Sequence, residues 1–138
     1  MKIVTESGLK TQEFGEKFAK QIKGNNLICL YGDLGSGKTT FTQGFAKGLG
    51  IKKRVTSPTF VIVKQYEIKN LKLKIKNLLH IDCYRIKSLN IQEFLETKTN
   101  LVIIEWPQNI ELVLPKKRID IQFNYLDELR REIEINYR

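Results

Sequence analysis

Residues 27–45, LICLYGDLGSGKTTFTQGF, decide the fold of this 138-residue chain. The apolar run at residues 27–31 has the length and composition of a strand buried on both faces of a parallel sheet. Apolar residues then recur at helical spacing over residues 38–49, and Gly50 provides a helix stop. Three glycines separate the two segments. The stretch therefore predicts a buried strand, a tightly curled loop and an amphipathic helix in immediate succession.

The loop at residues 32–39 matches the phosphate-binding pattern G-x-x-x-x-G-K-[ST] at every fixed position. Its glycines let the backbone curl so that successive N–H groups point inward and form an anion-binding nest. The helix dipole adds positive potential there. Lys38 can reach the β- and γ-phosphates, and the hydroxyl of Thr39 can join the coordination shell of Mg²⁺. The motif predicts a site for a nucleoside triphosphate with magnesium.

Two acidic residues follow apolar runs further along the chain. LLHID ends in Asp82, and LVIIE ends in Glu105. Because ligands bind at the carboxyl edge of a parallel sheet, we expect both side chains beside the phosphate loop. We assign Asp82 to Mg²⁺, directly or through water, and Glu105 to the outer shell of the metal or to the attacking water. The two roles can be exchanged.

Strand and helix patterns alternate along the whole chain, which predicts a single α/β domain over residues 1–138. A first helix is predicted at residues 11–22. Further strands are predicted at residues 60–66, 78–83, 101–105, 118–123 and 132–137. We expect three layers around a mostly parallel sheet with antiparallel additions at its edge, the last two strands forming such an addition. Residues 67–77, EIKNLKLKIKN, are interpreted as one arm of an exposed hairpin.

The composition limits the compartment and the partners. Lys and Arg total 24 against 15 Asp and Glu, a formal net charge of +9 that suits either a polyanionic partner or a generally basic surface. Cys29 and Cys83 lie in apolar runs, as reduced core thiols do. No apolar run is long enough to cross a bilayer, and the first residues lack the apolar region of a signal peptide. We therefore expect a cytoplasmic protein with no membrane contact.

Three other features have two readings each. In VTSPTF, Pro58 stiffens a segment that displays Ser57 and Thr59, either as a simple turn or as hydroxyls that sense a γ-phosphate. His80, the only histidine, is interpreted as a packed core residue rather than a base. Trp106 is either an anchoring aromatic or a partner contact.

The segments GDLGSGKTTF, TSPTF, HIDCYR and IEWP occur in this order and together resemble the TsaE (YjeE) family. These are small bacterial ATPases required for threonylcarbamoyl-adenosine (t6A) modification of tRNA. The resemblance covers about residues 11–115 and implies slow hydrolysis of Mg·ATP, together with the TsaB and TsaD partners that modify adenosine 37. Hydrolysis would reset that complex between turnovers. Contact with tRNA is either direct or indirect, and we expect the free protein to be a monomer.

Carried over by position, the resemblance also implies individual site residues. Asp82 and Glu105 complete the magnesium and hydrolysis site begun by the loop, with Lys38 as the third catalytic residue. Thr59 is a switch-like hydroxyl, Thr11 lies near the adenine, and Arg131 covers the nucleotide. The loop residues implied in nucleotide binding are Gly32, Asp33, Gly35, Ser36, Gly37, Lys38, Thr39 and Thr40.

One segment departs from the family pattern. IKSLNIQEFLETKTN, which follows Arg85, is shorter than the acidic segment that is usual in the family and lacks its glycine, so the departure falls where a helix and its partner contacts are expected.

Three other functional classes use similar features. A small P-loop kinase would use the same loop to transfer the γ-phosphate of ATP to a small acceptor, but this short chain leaves little room for an acceptor pocket and lid. A GTPase is disfavoured because the chain lacks N-K-x-D, and Asp82 is not followed by D-x-x-G spacing. A non-catalytic RNA-binding protein would keep salt-dependent tRNA affinity after Lys38→Ala.

Overall fold

A computed structural model describes residues 1–58, 62–70 and 72–138 of the chain. The strands within these ranges are β1 (Lys2–Thr5), β2 (Leu27–Tyr31), β3 (Val63–Glu67), β4 (Asn77–Asp82), β5 (Asn100–Glu105), β6 (Ile119–Tyr125) and β7 (Arg131–Tyr137). The helices are α1 (Gly8–Gln21), α2 (Lys38–Gly48), α3 (Ile91–Leu95) and a 3₁₀ helix (Pro107–Val113).

The strands form one mixed sheet in the order β1-β7-β6-β2-β5-β4-β3. Its centre is parallel, because β2 pairs in parallel with β5 and β6, and β5 with β4. The outer strands β3, β7 and β1 pair antiparallel. The predicted fold class, an α/β domain with antiparallel edge additions, is confirmed. The position of β6 is a correction: it lies in the parallel centre beside β2, and β7 and β1 alone make the addition on that side.

Helices α1 and α2 cover one face of the sheet and contact each other closely. Their phenylalanines and one from β6 form a continuous aromatic cluster, with ring centroids 5.5 to 6.2 Å apart. A Cβ atom added at Gly44 would lie 1.9 Å from the carbonyl oxygen of Gln12, and one at Gly15 would lie 2.3 Å from that of Phe41. The two helix backbones therefore approach each other closely at these glycines. This contact holds α2 in place over the sheet.

The opposite face is covered by α3 and the 3₁₀ helix. Ile91, Leu95 and Ile110 are buried against apolar side chains of β2, β4 and β5. These elements complete the third predicted layer. Helix α3 forms within the segment that departs from the family pattern, so that departure does not remove the helix.

Several element limits differ from the sequence prediction. Strand β1 was not predicted, and α1 begins at Gly8, because the Ser7 hydroxyl accepts a hydrogen bond from the Lys10 N–H and caps the helix. The described part of the strand predicted at residues 60–66 begins only at Val63. Residues 59–61 lie outside the described residues.

The prediction of an exposed hairpin arm at residues 67–77 is wrong. The described residues between β3 and β4 form no strand and connect these two antiparallel strands. Ile68 is buried, and Leu73 and Ile75 pack partly against the core cluster beneath α1 and α2. The alternating apolar side chains thus cover the end of the core instead of lining a free ribbon.

Both cysteines are buried free thiols, as predicted. Burial raises the pKa of Cys29 to about 12, with the charge of Asp120 contributing, and burial likewise raises the pKa of Cys83 to about 12. None of the helices in the described ranges is long and apolar enough to cross a membrane.

Candidate functional site

The loop between β2 and α2 is shaped by glycines in conformations that other residues rarely adopt. Gly32, Gly35 and Gly37 have φ angles of 146°, 76° and 106°. A Cβ atom on Gly32 would also lie 2.6 Å from Oγ of Ser36 and 2.8 Å from the carbonyl oxygen of Phe123. The tight curl predicted from the sequence therefore requires glycine at these positions.

Lys38 is the first residue of α2 and is almost fully buried, with 4% of its surface exposed. Its Nζ donates a hydrogen bond to the Gly32 carbonyl oxygen at 2.6 Å and lies 4.0 Å from the centroid of the Trp106 ring. Burial lowers the pKa of Lys38, while the negative charges of Glu105, Asp82 and Asp33 oppose that shift. A desolvated cation at a helix N-terminus is well placed to bind an anion.

Asp82 and Glu105 are the last residues of β4 and β5 and are register partners across these strands. Both are buried, with 6% and 4% exposed. The Tyr84 N–H donates to Oδ1 of Asp82 at 2.8 Å, and Nε2 of His80 is 2.6 Å from Oε2 of Glu105. The structure brings both acids to the edge of the sheet that carries the phosphate loop, as their positions at strand ends predict.

The loop, the acids and the N-terminus of α1 surround one pocket of about 540 Å³. Nine residues predicted from the sequence line it: Thr11, Gly35, Gly37, Lys38, Thr39, Thr40, Asp82, Glu105 and Arg131. Gly32, Asp33 and Ser36 instead line a second cavity of about 470 Å³, which shares Trp106 with the main pocket. Ser57 also lines the main pocket. Thr59 lies outside the described residues, so its predicted role stays a prediction.

Arg131, at the start of β7, ties the terminal hairpin to the loop. One terminal nitrogen donates to the Gly35 carbonyl oxygen at 3.0 Å, and the other donates to the carbonyl oxygens of Asp127 and Arg130 at 2.5 and 2.9 Å. The guanidinium carbon lies 4.6 Å from the centroid of the Tyr125 ring. Arg131 therefore holds the loop backbone from the side opposite the acids.

Thr11 approaches the same loop from α1. Its hydroxyl oxygen lies 2.6 Å from that of Thr5 and donates to the Ser7 carbonyl oxygen at 3.2 Å. Its methyl carbon lies 3.7 Å from the position that a Cβ atom on Gly37 would occupy. Thr11 therefore contributes a buried wall to the pocket, with its hydroxyl bonded inside the protein.

Sequence reasoning missed part of this site. Trp106 adopts a left-handed conformation (φ 59°, ψ 46°), with its ring centroid 4.9 Å from that of Tyr84. This geometry supports the anchoring-aromatic reading. His80 is buried as predicted, but its bond to Glu105 links it to the site, which the packing interpretation missed. Tyr84 was not singled out from the sequence, and its position two residues after Asp82 was the signal that could have identified it.

Magnesium at this edge would share its ligands with a bound phosphate. In the ranges that the structure describes, no group of three His, Cys, Asp or Glu residues could hold a metal by itself. The donor set does contain the buried carboxylate of Asp82 and the hydroxyl of Thr39 on the pocket wall. Mg²⁺ commonly binds through one or two carboxylates plus substrate phosphates and water, so these residues fit that ion.

Comparison with known proteins identifies close similarities. The family model of the threonylcarbamoyl adenosine biosynthesis protein TsaE matches residues 5–133. The tRNA threonylcarbamoyladenosine biosynthesis protein TsaE of Bacillus subtilis is 38% identical over 90% of this chain and 77% of its own. The protein of the same name from Aquifex aeolicus is 36% identical over 96% of this chain and 93% of its own. The crystal structure of Bacillus subtilis YdiB matches with a TM-score of 0.82 and 35% identity, over 99% of this chain and 84% of that one.

Proposed function

This chain belongs to the TsaE family of threonylcarbamoyl adenosine biosynthesis proteins, and we propose that it binds Mg·ATP at the phosphate loop and hydrolyses it. In this proposal it is an accessory ATPase that acts with homologues of TsaB and TsaD during t6A modification of tRNA. Hydrolysis resets that complex between turnovers and does not itself form the modification.

One observation carries the proposal. The glycine-shaped loop, the buried ammonium of Lys38 and the paired carboxylates of Asp82 and Glu105 all lie on a single pocket of about 540 Å³. Each element has a separate chemical use in phosphoryl transfer: main-chain donors for phosphate oxygens, a cation, a magnesium ligand, and a group that orients water. Their convergence supports ATP hydrolysis better than simple anion binding.

Each residue of the site has its own role in this proposal. The loop N–H groups and Lys38 bind the β- and γ-phosphates, and Thr39 and Asp82 hold magnesium, which supplies charge neutralisation for the phosphates when bound. Glu105 orients a water whose oxygen forms the new bond to the γ-phosphorus. The bond from that phosphorus to the β–γ bridging oxygen breaks, with its electron pair leaving on ADP. The proton lost by the water passes through the Glu105 carboxylate to the released phosphate.

An ATPase assay with and without the TsaB and TsaD homologues and tRNA tests this function. We expect release of free phosphate from Mg·ATP, strong stimulation by the full mixture, and loss of turnover in Lys38→Ala. Lys47→Ala, in the last turn of the same helix, removes the same charge outside the pocket and should keep the wild-type rate. Absence of hydrolysis in every mixture would contradict the proposal. Stoichiometric transfer of phosphate to a small metabolite would instead identify a kinase.

A further inference from the structure

His80 contacts the proposed water-orienting glutamate from inside the sheet. It lies on β4, two residues before Asp82, and its side chain is fully buried. His80 pairs with Ile103 in the register that also pairs Asp82 with Glu105, so the imidazole and the Glu105 carboxylate emerge on the same face of neighbouring strands. Glu105 is two residues beyond the register partner of His80, so the two side chains are diagonal neighbours. Nε2 of His80 lies 2.6 Å from Oε2 of Glu105.

The contact fixes which ring nitrogen carries the hydrogen. In the proposed function Glu105 acts as a carboxylate, which only accepts hydrogen bonds, so we assign Nε2 of His80 as the donor to Oε2 of Glu105. Nδ1 is buried and has no hydrogen-bond partner among residues 1–58, 62–70 and 72–138. A hydrogen on Nδ1 would leave a buried donor unpaired and two acceptors facing each other at 2.6 Å. The surroundings of the ring therefore select the Nε2–H tautomer.

We propose that His80 is a positioning residue for ATP hydrolysis: it holds Oε2 of Glu105 so that Oε1 is presented to the attacking water. This inference rests on the proposed function. Oε1 makes no hydrogen bond to any described residue, and Glu105 lines the pocket. Within the described ranges, one carboxylate oxygen is thus bonded to the ring of His80, and the side chain of Glu105 lies on the pocket wall.

Packing alone does not account for a histidine at this position. An apolar side chain would fill a fully buried site between strands without the cost of desolvating two ring nitrogens. Among residues 1–58, 62–70 and 72–138, the hydrogen-bond partner of the ring is Glu105. A glutamate side chain has three rotatable bonds, and a fixed partner restricts it to the rotamer that the chemistry needs.

Kinetics of three variants separate positioning from packing. At saturating Mg·ATP, His80→Leu should lower the single-turnover rate roughly 10- to 100-fold, as misplacement of a catalytic group does, with nucleotide affinity unchanged. His80→Gln retains an amide donor near the place of Nε2 and should recover most of that loss. Ile103→Val removes a methyl group beside the ring and should lower the melting temperature without lowering the rate.

A wild-type rate in His80→Leu would overturn the proposal, and so would an equal loss in His80→Gln and His80→Leu. These outcomes are distinct from failure of the proposed function, in which the wild-type protein itself hydrolyses no ATP.

Nitrogen-15 NMR gives a readout that does not depend on activity or on the folding of the His80 variants. Because the chain has one histidine, its ring signals are assigned without ambiguity. We expect a protonated Nε2, an unprotonated Nδ1, and a clear shift of the Nε2 signal in Glu105→Gln. Averaging of the two tautomers, or a signal unaffected by Glu105→Gln, would refute the contact and with it the positioning role.

Discussion

Asp82 and Glu105 are paired residues at the ends of two parallel strands, yet their carboxylates are held in different ways. Asp82 accepts a backbone N–H from Tyr84, within the turn that follows its own strand. Glu105 is held by the ring of His80 from the neighbouring strand. We therefore expect Asp82 to bind magnesium and Glu105, which the ring of His80 orients, to act on the water molecule.

Glu105→Gln should separate nucleotide binding from turnover. The amide keeps the size of the side chain but cannot accept a proton, so we expect the hydrolysis rate to fall roughly 100-fold while Mg·ATP still binds. Asp82→Asn should instead raise the magnesium concentration needed for half-maximal binding. Single-turnover hydrolysis and nucleotide titrations at several magnesium concentrations measure both effects. A shift in magnesium requirement for Glu105→Gln, with none for Asp82→Asn, would exchange the two roles.

Arg131→Ala should weaken Mg·ATP binding by roughly tenfold, the equivalent of one charge-assisted hydrogen bond. The substitution removes the donor that holds the Gly35 carbonyl oxygen and frees the loop from the terminal hairpin. Fluorescent-nucleotide titration measures the change. Arg54→Ala, which removes an exposed cation outside this pocket, should bind as the wild type does. Equal affinity of both variants would show that the Arg131 contact does not shape the site.

Gly44→Ala should destabilise the protein by about 1–3 kcal/mol, the usual cost of overpacking. The new methyl group would meet the backbone of Gln12, which cannot move without separating α1 from α2. Gly8→Ala is the matched control, since a Cβ atom there has no described heavy atom within 4 Å. Urea denaturation of the two variants measures the difference. If Gly44→Ala proves as stable as Gly8→Ala, the close helix contact is wrong.

Cys29 and Cys83 should not react with thiol reagents while the protein is folded. Burial raises the pKa of each thiol to about 12, so at pH 8 only about one molecule in ten thousand carries the reactive thiolate at a given site. We expect no labelling by iodoacetamide in native buffer and two labels per chain in denaturant, read by mass spectrometry. Rapid labelling of the native protein would contradict the burial of these residues.

The sequence predicts most of the geometry of the candidate site because its signals are local. The loop is determined by its glycines and lysine and by the strand that precedes it. That strand, β2, extends over the predicted residues. Asp82 and Glu105 meet because consecutive parallel strands place their last residues at one edge. These inferences need only the chain direction and the side-chain period of a strand.

What the sequence did not predict depends on contacts between distant segments. Strand β1 is four residues long and exists by pairing with β7 at the other end of the chain. The parallel place of β6 depends on strand order, which periodicity does not encode. The apolar run around His80 predicted its burial correctly, but its bond to Glu105 requires the register of β4 against β5. The apolar residues between β3 and β4 pack against a core cluster formed by distant segments. Their alternation with lysines does not reveal that contact, so it predicted an exposed hairpin arm.

Equilibrium dialysis with labelled ATP tests the central claim most directly. With magnesium present, the wild-type chain, alone or with the proposed TsaB and TsaD partners, should bind one ATP saturably. Lys38→Ala should lose that binding, while Lys47→Ala keeps it, because Lys38 alone of the two lies in the pocket. Absence of saturable binding by the wild type, or equal binding by Lys38→Ala, would contradict the assignment of this loop as an ATP site.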